Sequence, residues 1–180
     1  MGTIAPFARL ALTLQTVRFG APEEIAVDPS RLYTFPEALP GLPESHRYAL
    51  VEDDAYAPLC WLQSLDEGLV CLPVVAHTVL DLDGYAAHVA SMLDEEGRAP
   101  ASSASSASSA SSASAVGGTR VMLVTRFDED AGLFAVNPLA PILLDGDTAT
   151  GRQVVLDGQD YPLRQHVRWD AVSGRFVPVC

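Results

Sequence analysis

The sequence predicts a mainly β protein, a small antiparallel β-barrel-like domain with one short helix and a flexible loop rich in alanine and serine. Three observations predict this class. Short runs of alternating apolar and polar residues recur along the chain, glycine, proline and aspartate separate them, and a single stretch has the spacing of an amphipathic helix. Many short strands with frequent turns are typical of antiparallel barrels and sandwiches. A length of 180 residues suffices for one such domain.

The first half of the chain supplies six of the predicted extended runs. They cover residues 12–19, 25–27, 31–35, 47–52, 59–65 and 68–75. Pro73 marks the last of them as an edge strand or a bulge, because proline cannot donate to a strand ladder. Residues 34–44, TFPEALPGLPE, carry three prolines and therefore predict a rigid apolar elbow outside any helix or central strand. The elbow is either a well-fixed turn or a surface shaped for a partner.

The middle of the chain predicts the helix and the loop. Residues 85–97 place Tyr85, Val89, Met92 and Leu93 on one helical face, and Gly97 is a suitable C-terminal stop. Residues 101–115 then repeat alanine and serine with no apolar stripe, so nothing offsets the entropy cost of ordering them. We expect a flexible insertion at about 98–118 that leaves the fold undivided.

Strand patterns resume in the second half. They cover residues 119–127, a return strand that begins at 133, then 139–144 and 151–157, and a last hairpin around DAVSGR at 170–175. Residues 137–142, NPLAPI, place two prolines in an apolar run and predict a bulge, an edge or a corner. We expect one domain over residues 1–180, with its core at about 12–167 and a C-terminal extension at 168–180.

The charge balance narrows the classes of partner. All 11 basic residues are arginine, against 23 acidic residues, which gives a net charge of -12. Such a chain repels nucleic acid and anionic membranes, whereas it attracts basic proteins. Three cysteines without close spacing favour a reducing compartment. With no secretion signal and no apolar run of membrane-spanning length, the sequence predicts a cytoplasmic protein.

No local motif indicates catalysis. The sequence has no nucleophile elbow, phosphate loop or dinucleotide fingerprint, and its four histidines lack metal-ligand spacing. DLDG at 81–84 and DEDAG at 128–132 lack the further oxygen ligands of a calcium loop, so they are predicted turns. Cys60 and Cys71 lie in apolar runs and are predicted to be buried. We therefore assign no catalytic residue, no metal ligand and no cofactor.

Four ordered motifs nevertheless resemble one family, the flagellar assembly factor FliW. RLYTFPEALPGLPESHRYALVE is similar to its F-P-x-G-x-P-G-F segment and the strand that follows, and WLQSLDEGLVCLPVV resembles its L-Q-S segment. NPLAPI and GRQVVLDGQDYPLRQHV resemble its N-L-x-A-P-I and G-x-Q-V endings. The resemblance runs from about Val17 to Val167. The chain departs from the pattern at Ala38, Leu42, Ala76, His77 and Pro138.

The resemblance implies a non-enzymatic partner switch. Proteins of this family bind cytosolic flagellin and alternatively CsrA, a small translational repressor that binds RNA, so that flagellin export frees the protein to capture CsrA. Two rival interpretations stay open. One is a dedicated flagellin chaperone without a CsrA role, and the other is an enzyme or small-molecule carrier that uses the barrel interior.

We expect the two proline-containing segments, residues 35–43 and 137–142, to be stiff corners of one barrel that hold a binding surface. The candidate protein-binding residues lie in these corners, in the L-Q-S segment and in an acidic turn that would steer a basic partner. They are Phe35, Pro36, Leu39, Pro40, Gly41, Trp61, Gln63, Asn137, Leu139 and Pro141, with Glu52, Asp53 and Asp54. Two further acidic groups, at 94–96 and 128–130, are candidates for steering.

Overall fold

The computed structural model describes residues 27–95, 97, 118–156 and 161–179. It contains ten strands and one α-helix over these residues. The strands are β1 (Leu32–Thr34), β2 (Arg47–Glu52), β3 (Leu59–Ser64), β4 (Cys71–Ala76), β5 (Thr119–Asp128), β6 (Leu133–Val136), β7 (Ile142–Asp145), β8 (Thr150–Gln153), β9 (Gln165–Asp170) and β10 (Arg175–Pro178), and helix α1 is Tyr85–Glu95. The predicted strand at 12–19, most of the predicted return at 25–27 and the alanine/serine insertion lie outside the described residues.

Seven of the strands pair in a closed ring. The order β4-β3-β2-β1-β8-β7 is completed by β5, which pairs with β4 and also with β7. All of these pairings are antiparallel except β1 with β8, where Thr34 lies opposite Thr150 in a parallel arrangement. The mainly β, barrel-like class predicted from the sequence is confirmed, with one parallel contact in a mixed sheet.

The long strand β5 carries a second group of strands. Its first half belongs to the ring, and its second half pairs with β6, which is followed by β9 and β10. The predicted final hairpin is present as β9 and β10, so the predicted C-terminal extension completes β9 and adds β10 to the sheet. Phe176 of this extension is 1% exposed and lies in the main core.

The ring encloses an apolar interior. Strand residues of one face, taken from six of its seven strands, meet in a single cluster together with two residues of the elbow. Its buried members are Tyr33, Phe35, Leu39, Tyr48, Leu50, Leu62, Val74, Met122, Ile142 and Leu144. Because alternate residues of a strand point to opposite faces, neighbours of these residues point out of the ring. Val75, Val121, Leu123 and Leu143 pack there against α1, β9 and β10.

Helix α1 matches its prediction in position and in buried face. Tyr85, Val89 and Leu93 are buried against the outer face of the ring, while Met92 is half-buried. Gly97 follows with a φ of 65°, a left-handed conformation that glycine adopts without steric cost and that ends helices.

Several strands are shorter than predicted, including β7 and β8, and β4 shows why its proline is tolerated. Strand β7 begins at Ile142 instead of residue 139, because the preceding residues form a corner, and β8 ends at Gln153 instead of residue 157. Pro73 pairs with Trp61 of β3, but β5 pairs only with the later residues of β4. Pro73 therefore lies where β4 is locally an edge, as the sequence predicts.

Candidate functional site

The elbow consists of two consecutive turns, each with proline in its second position. The backbone N–H of Leu42 donates to the carbonyl oxygen of Leu39 at 2.9 Å, and the N–H of Ser45 donates to that of Leu42 at 3.1 Å. Gly41, in the third position of the first turn, has a φ of 85°. A type II turn requires a positive φ at its third position and favours proline at its second, so Pro40 and Gly41 fix the shape of this turn.

Side chains from β8, from α1 and from the corner itself hold the second corner, residues 137–142. The side-chain oxygen of Asn137 accepts a hydrogen bond from the backbone N–H of Ala140 at 3.1 Å, and Gln153 Nε2 donates to the carbonyl oxygen of Ala140 at 2.9 Å. The buried hydroxyl of Tyr85 donates to the carbonyl oxygen of Pro138 at 2.9 Å, and burial raises the pKa of this tyrosine. The corner is therefore fixed to β8 and to α1.

The two corners lie on either side of an apolar depression of about 510 Å³, which we call the corner groove. The elbow, the second corner, strands β4 and β5 and the segment after β8 all contribute to it. Its lining residues are Leu39, Pro40, Gly41, Leu42, Leu72, Val124, Asn137, Ala140, Ile142, Gln153, Val155 and Leu163. The structure thus brings together the two segments that the sequence analysis paired.

The corner groove is continuous with the ring interior and open to solvent. Leu39 and Ile142 belong to the buried interior cluster, and Leu42, Leu72 and Val124 pack against it. Two groove residues remain largely exposed, Val155 at 61% and Leu163 at 68%. Exposed apolar surface that continues from a core and is rimmed by turns is typical of sites that bind other proteins.

The predicted binding residues separate into exposed and buried groups. Pro36, Pro40, Gly41, Glu52 and Asp54 are exposed, and Asn137, Leu139 and Asp53 are half-buried. By contrast, Phe35 (0%), Leu39 (4%), Trp61 (4%), Gln63 (1%) and Pro141 present almost no side-chain surface. In this conformation the buried side chains shape the surface from below, and their part in binding stays a prediction.

Phe35 is the central support of the elbow. Its ring lies 4.9 Å from that of Tyr48 in an edge-to-face arrangement, and its carbonyl oxygen is 2.9 Å from His46 Nδ1. Gly151 of β8 faces the ring so closely that a Cβ atom there would lie 2.2 Å from it. Glycine at this position is therefore required by the aromatic ring and not by backbone conformation.

The L-Q-S segment has a structural role in this conformation. The buried amide of Gln63 donates through Nε2 to the carbonyl oxygens of Ser64, Gly68 and Val70, at 3.0 to 3.2 Å. These bonds fix the turn between β3 and β4. Trp61 lies on the outer face of the ring, edge-to-face with Tyr56 at 5.6 Å, and does not line the corner groove.

Asp66 joins this turn to the strand that follows the elbow. Its carboxylate accepts hydrogen bonds from the backbone N–H groups of His46 and Arg47, both at 2.8 Å, and from Arg47 Nε at 2.7 Å. The His46 N–H bond, helped by Arg47, holds the pKa of Asp66 below its ordinary value of 3.8. A carboxyl group whose pKa is lowered by folding stabilises the protein above its ordinary pKa, and loses that contribution as the pH falls through the folded-state pKa.

We therefore expect Asp66→Asn to lower the melting temperature at neutral pH and to have progressively less effect as the pH falls below 3.8. Melting curves of both proteins between neutral and acidic pH measure the difference. Asp54→Asn is the matched control for the loss of an exposed carboxylate. A constant gap between Asp66→Asn and the parent protein across this range contradicts the assignment.

The predicted acidic turn is partly neutralised by the protein itself. Glu52 forms ion pairs with Arg31 and, at 2.7 Å, with Arg120. Burial alone would raise the pKa of Glu52, but the hydrogen bonds and charges of these arginines outweigh it and lower the pKa. Asp53 accepts a hydrogen bond from the N–H of Ala55 at 3.0 Å. Of the three acidic residues, Asp54 is exposed and takes part in none of these contacts.

The sequence did not indicate that Val155 and Leu163 line the corner groove. Val155 and Leu163 follow β8 and precede β9, in stretches that the sequence assigned to a strand and to a motif ending. An apolar run after the last paired residue of β8 is the only local signal.

Within the described ranges, no three histidine, cysteine, aspartate or glutamate side chains lie close enough together to hold a metal ion. Nor does any helix in those ranges have the length and apolar character to cross a membrane.

Comparison with known proteins agrees with this architecture. The model of the family described as FliW protein matches residues 13–167. The chain is 26% identical to the flagellar assembly factor FliW of Leptospira biflexa over 158 residues, 88% of this chain and 92% of that protein. It is 28% identical to that of Geobacter sulfurreducens over 169 residues, 93% and 92% of the two chains. A crystal structure of the flagellar assembly factor FliW superposes with a TM-score of 0.55 at 14% identity, over 87% of this chain and 95% of that one, and supports the fold.

Proposed function

Because this chain belongs to the FliW family of flagellar assembly factors, we propose that it binds flagellin in the cytoplasm and alternately sequesters the translational regulator CsrA. Flagellin would occupy the protein while it accumulates, and its export would free the protein to capture CsrA. Translation of flagellin would then resume. The protein acts here by docking polypeptides and transforms no substrate.

The observation that carries this proposal is the corner groove. It is an open apolar surface, and both proline-containing segments that resemble the family motifs help to line it. Their backbones are already fixed by turns and by the side chains of Asn137, Gln153 and Tyr85. Because the site is already ordered, docking of a partner there costs little conformational entropy. More of the free energy of apolar contact therefore remains as binding affinity.

The charge supports the CsrA part of the proposal. A chain with a net charge of -12 attracts a basic RNA-binding protein over long distances and raises its association rate. Asp54 and the exposed residues Glu129 and Asp130 are among the surface charges that can contribute. Glu52 contributes less, since two arginines of the same chain already pair with it.

The ring interior favours docking over small-molecule binding. Large apolar side chains such as Tyr48, Leu50, Leu62 and Leu144 are at most 1% exposed inside the ring. The described part of the interior is therefore packed with the protein's own side chains, in contrast to the ligand cavities of carrier proteins.

The test uses purified protein, flagellin monomer and CsrA in pairwise and three-component binding experiments. We expect a complex with each polypeptide alone and release of CsrA when flagellin is added. Flagellin binding with no CsrA complex would reduce the function to that of a dedicated flagellin chaperone. No complex with either polypeptide overturns the proposal.

A further inference from the structure

At one side, the corner groove continues into a smaller depression of about 200 Å³. Val124, Asn137 and Leu163 line both depressions. The smaller one is also lined by Arg126 and Arg164, and both arginines are exposed. We call it the basic end of the groove. An apolar surface and two positive charges thus form one continuous concave surface.

These two arginines differ from most others in the described part of the chain. Arg31, Arg47, Arg120 and Arg175 each pair with a carboxylate of the same chain. Within the described ranges, no carboxylate forms an ion pair with Arg126 or Arg164. Since acidic residues outnumber arginines by 23 to 11 in this chain, such free guanidinium groups beside an apolar groove are available for a partner.

Asp128, two residues after Arg126, already has other partners. Its Oδ2 lies 3.1 Å from His166 Nε2, and its Oδ1 accepts a hydrogen bond from the N–H of Ala131 at 3.3 Å. The hydrogen bond with His166, then that of Ala131 and, last, the charge of Arg126 lower the pKa of Asp128. The negative charge of Asp128 partly offsets the positive charge of Arg126, but the carboxylate forms no ion pair with the guanidinium group.

We propose that the corner groove and its basic end together recognise an apolar polypeptide segment that carries glutamate or aspartate side chains beside its apolar residues. The inference rests on the proposed function and specifies the chemistry of the partner at this site. Apolar contacts in the groove supply affinity, and guanidinium–carboxylate pairs, which are geometrically specific, fix the register of the segment.

Two physical arguments favour acidic side chains over the alternatives. Capture of a chain-terminal carboxylate typically uses a nest of backbone N–H groups, whereas the basic end offers exposed side-chain cations. A strongly basic polypeptide would meet like charges there, so we expect it to dock elsewhere on the acidic surface. Of the two proposed partners, flagellin is therefore assigned to the corner groove and CsrA mainly to acidic surface outside it. Release of CsrA by flagellin then requires bound flagellin to extend beyond the groove and cover part of that surface.

The test compares Arg126→Glu/Arg164→Glu with Arg168→Glu, a reversal of another exposed arginine that does not line the groove. We expect the double reversal to weaken flagellin binding about tenfold in low salt, whereas the control changes it about twofold or less. High salt should reduce the difference. CsrA binding should not weaken in either variant. Melting curves check that all three proteins are folded.

An unchanged flagellin affinity in the double variant, or an equal loss in Arg168→Glu, overturns the inference while the proposed function stands. If the parent protein does not bind flagellin, the proposed function fails, and two C-terminally amidated apolar peptides still test the chemistry. One carries two glutamates and the other carries glutamines at the same positions. The inference requires tighter binding of the glutamate peptide and loss of that preference in the double variant; equal affinities contradict it.

Discussion

Phe35→Ala is expected to lower the free energy of unfolding by about 3–5 kcal/mol, because it removes a fully buried aromatic ring and leaves a cavity. The ring supports the elbow, contacts Tyr48 and lies against Gly151 of the neighbouring strand. Chemical denaturation followed by tryptophan fluorescence measures the loss. A change below about 1 kcal/mol would show that the elbow does not depend on this ring.

Gly151→Ala provides the matched control, since it acts on the same contact from the other side. In the parent protein its methyl group would lie 2.2 Å from the Phe35 ring, so we expect overpacking to cost about 1–3 kcal/mol. In the Phe35→Ala background the same methyl group has room and should cost less. Additive losses in the double variant contradict direct contact between residues 35 and 151.

This result also decides which substitutions can test binding. A protein destabilised by Phe35→Ala loses the shape of the elbow together with its fold, so reduced binding would not identify Phe35 as a contact residue. Substitutions at exposed groove positions avoid the ambiguity, because they change the surface and leave the core packed.

Features set by local chemistry could be predicted from the sequence. The prolines of the elbow and the glycine at position 41 specify turns without reference to the rest of the chain, and the structure has turns there. Helix α1 follows from its apolar spacing and its glycine stop. The alternation of apolar and polar residues along the predicted strands is also a local pattern. It predicted the mainly β class, because one face of each strand must be buried.

Features set by distant contacts could not be predicted. The ring closes only because β5 pairs with β7 and β1 with β8, and no local pattern specifies those partners. The burial of Phe35 could not be predicted for the same reason. An aromatic residue beside a turn can face solvent or the core, and the space for this ring is provided by Gly151, which lies far along the chain. The neutralisation of the Glu52 charge also could not be predicted, because its partners Arg31 and Arg120 come from separate elements.

The proposed docking surface makes its own prediction for the exposed wall of the corner groove. We expect Val155→Ser/Leu163→Ser to weaken flagellin binding by about 2 kcal/mol, or about 30-fold, because truncating apolar anchors at a docking site removes much of the binding energy. Both side chains are largely exposed, at 61% and 68%, so the fold should tolerate the change. Isothermal titration calorimetry measures the affinity, and melting curves report stability.

Val172→Ser/Leu69→Ser is the control, because it makes the same chemical changes at exposed positions, 97% and 81%, that do not line the groove. It removes a similar kind of apolar surface, so any general effect of surface polarity should appear equally in both double variants. Binding that weakens only in the groove variant assigns the docking surface to the corner groove. Equal affinities in the two variants would place flagellin on another face, whatever the charge of the chain.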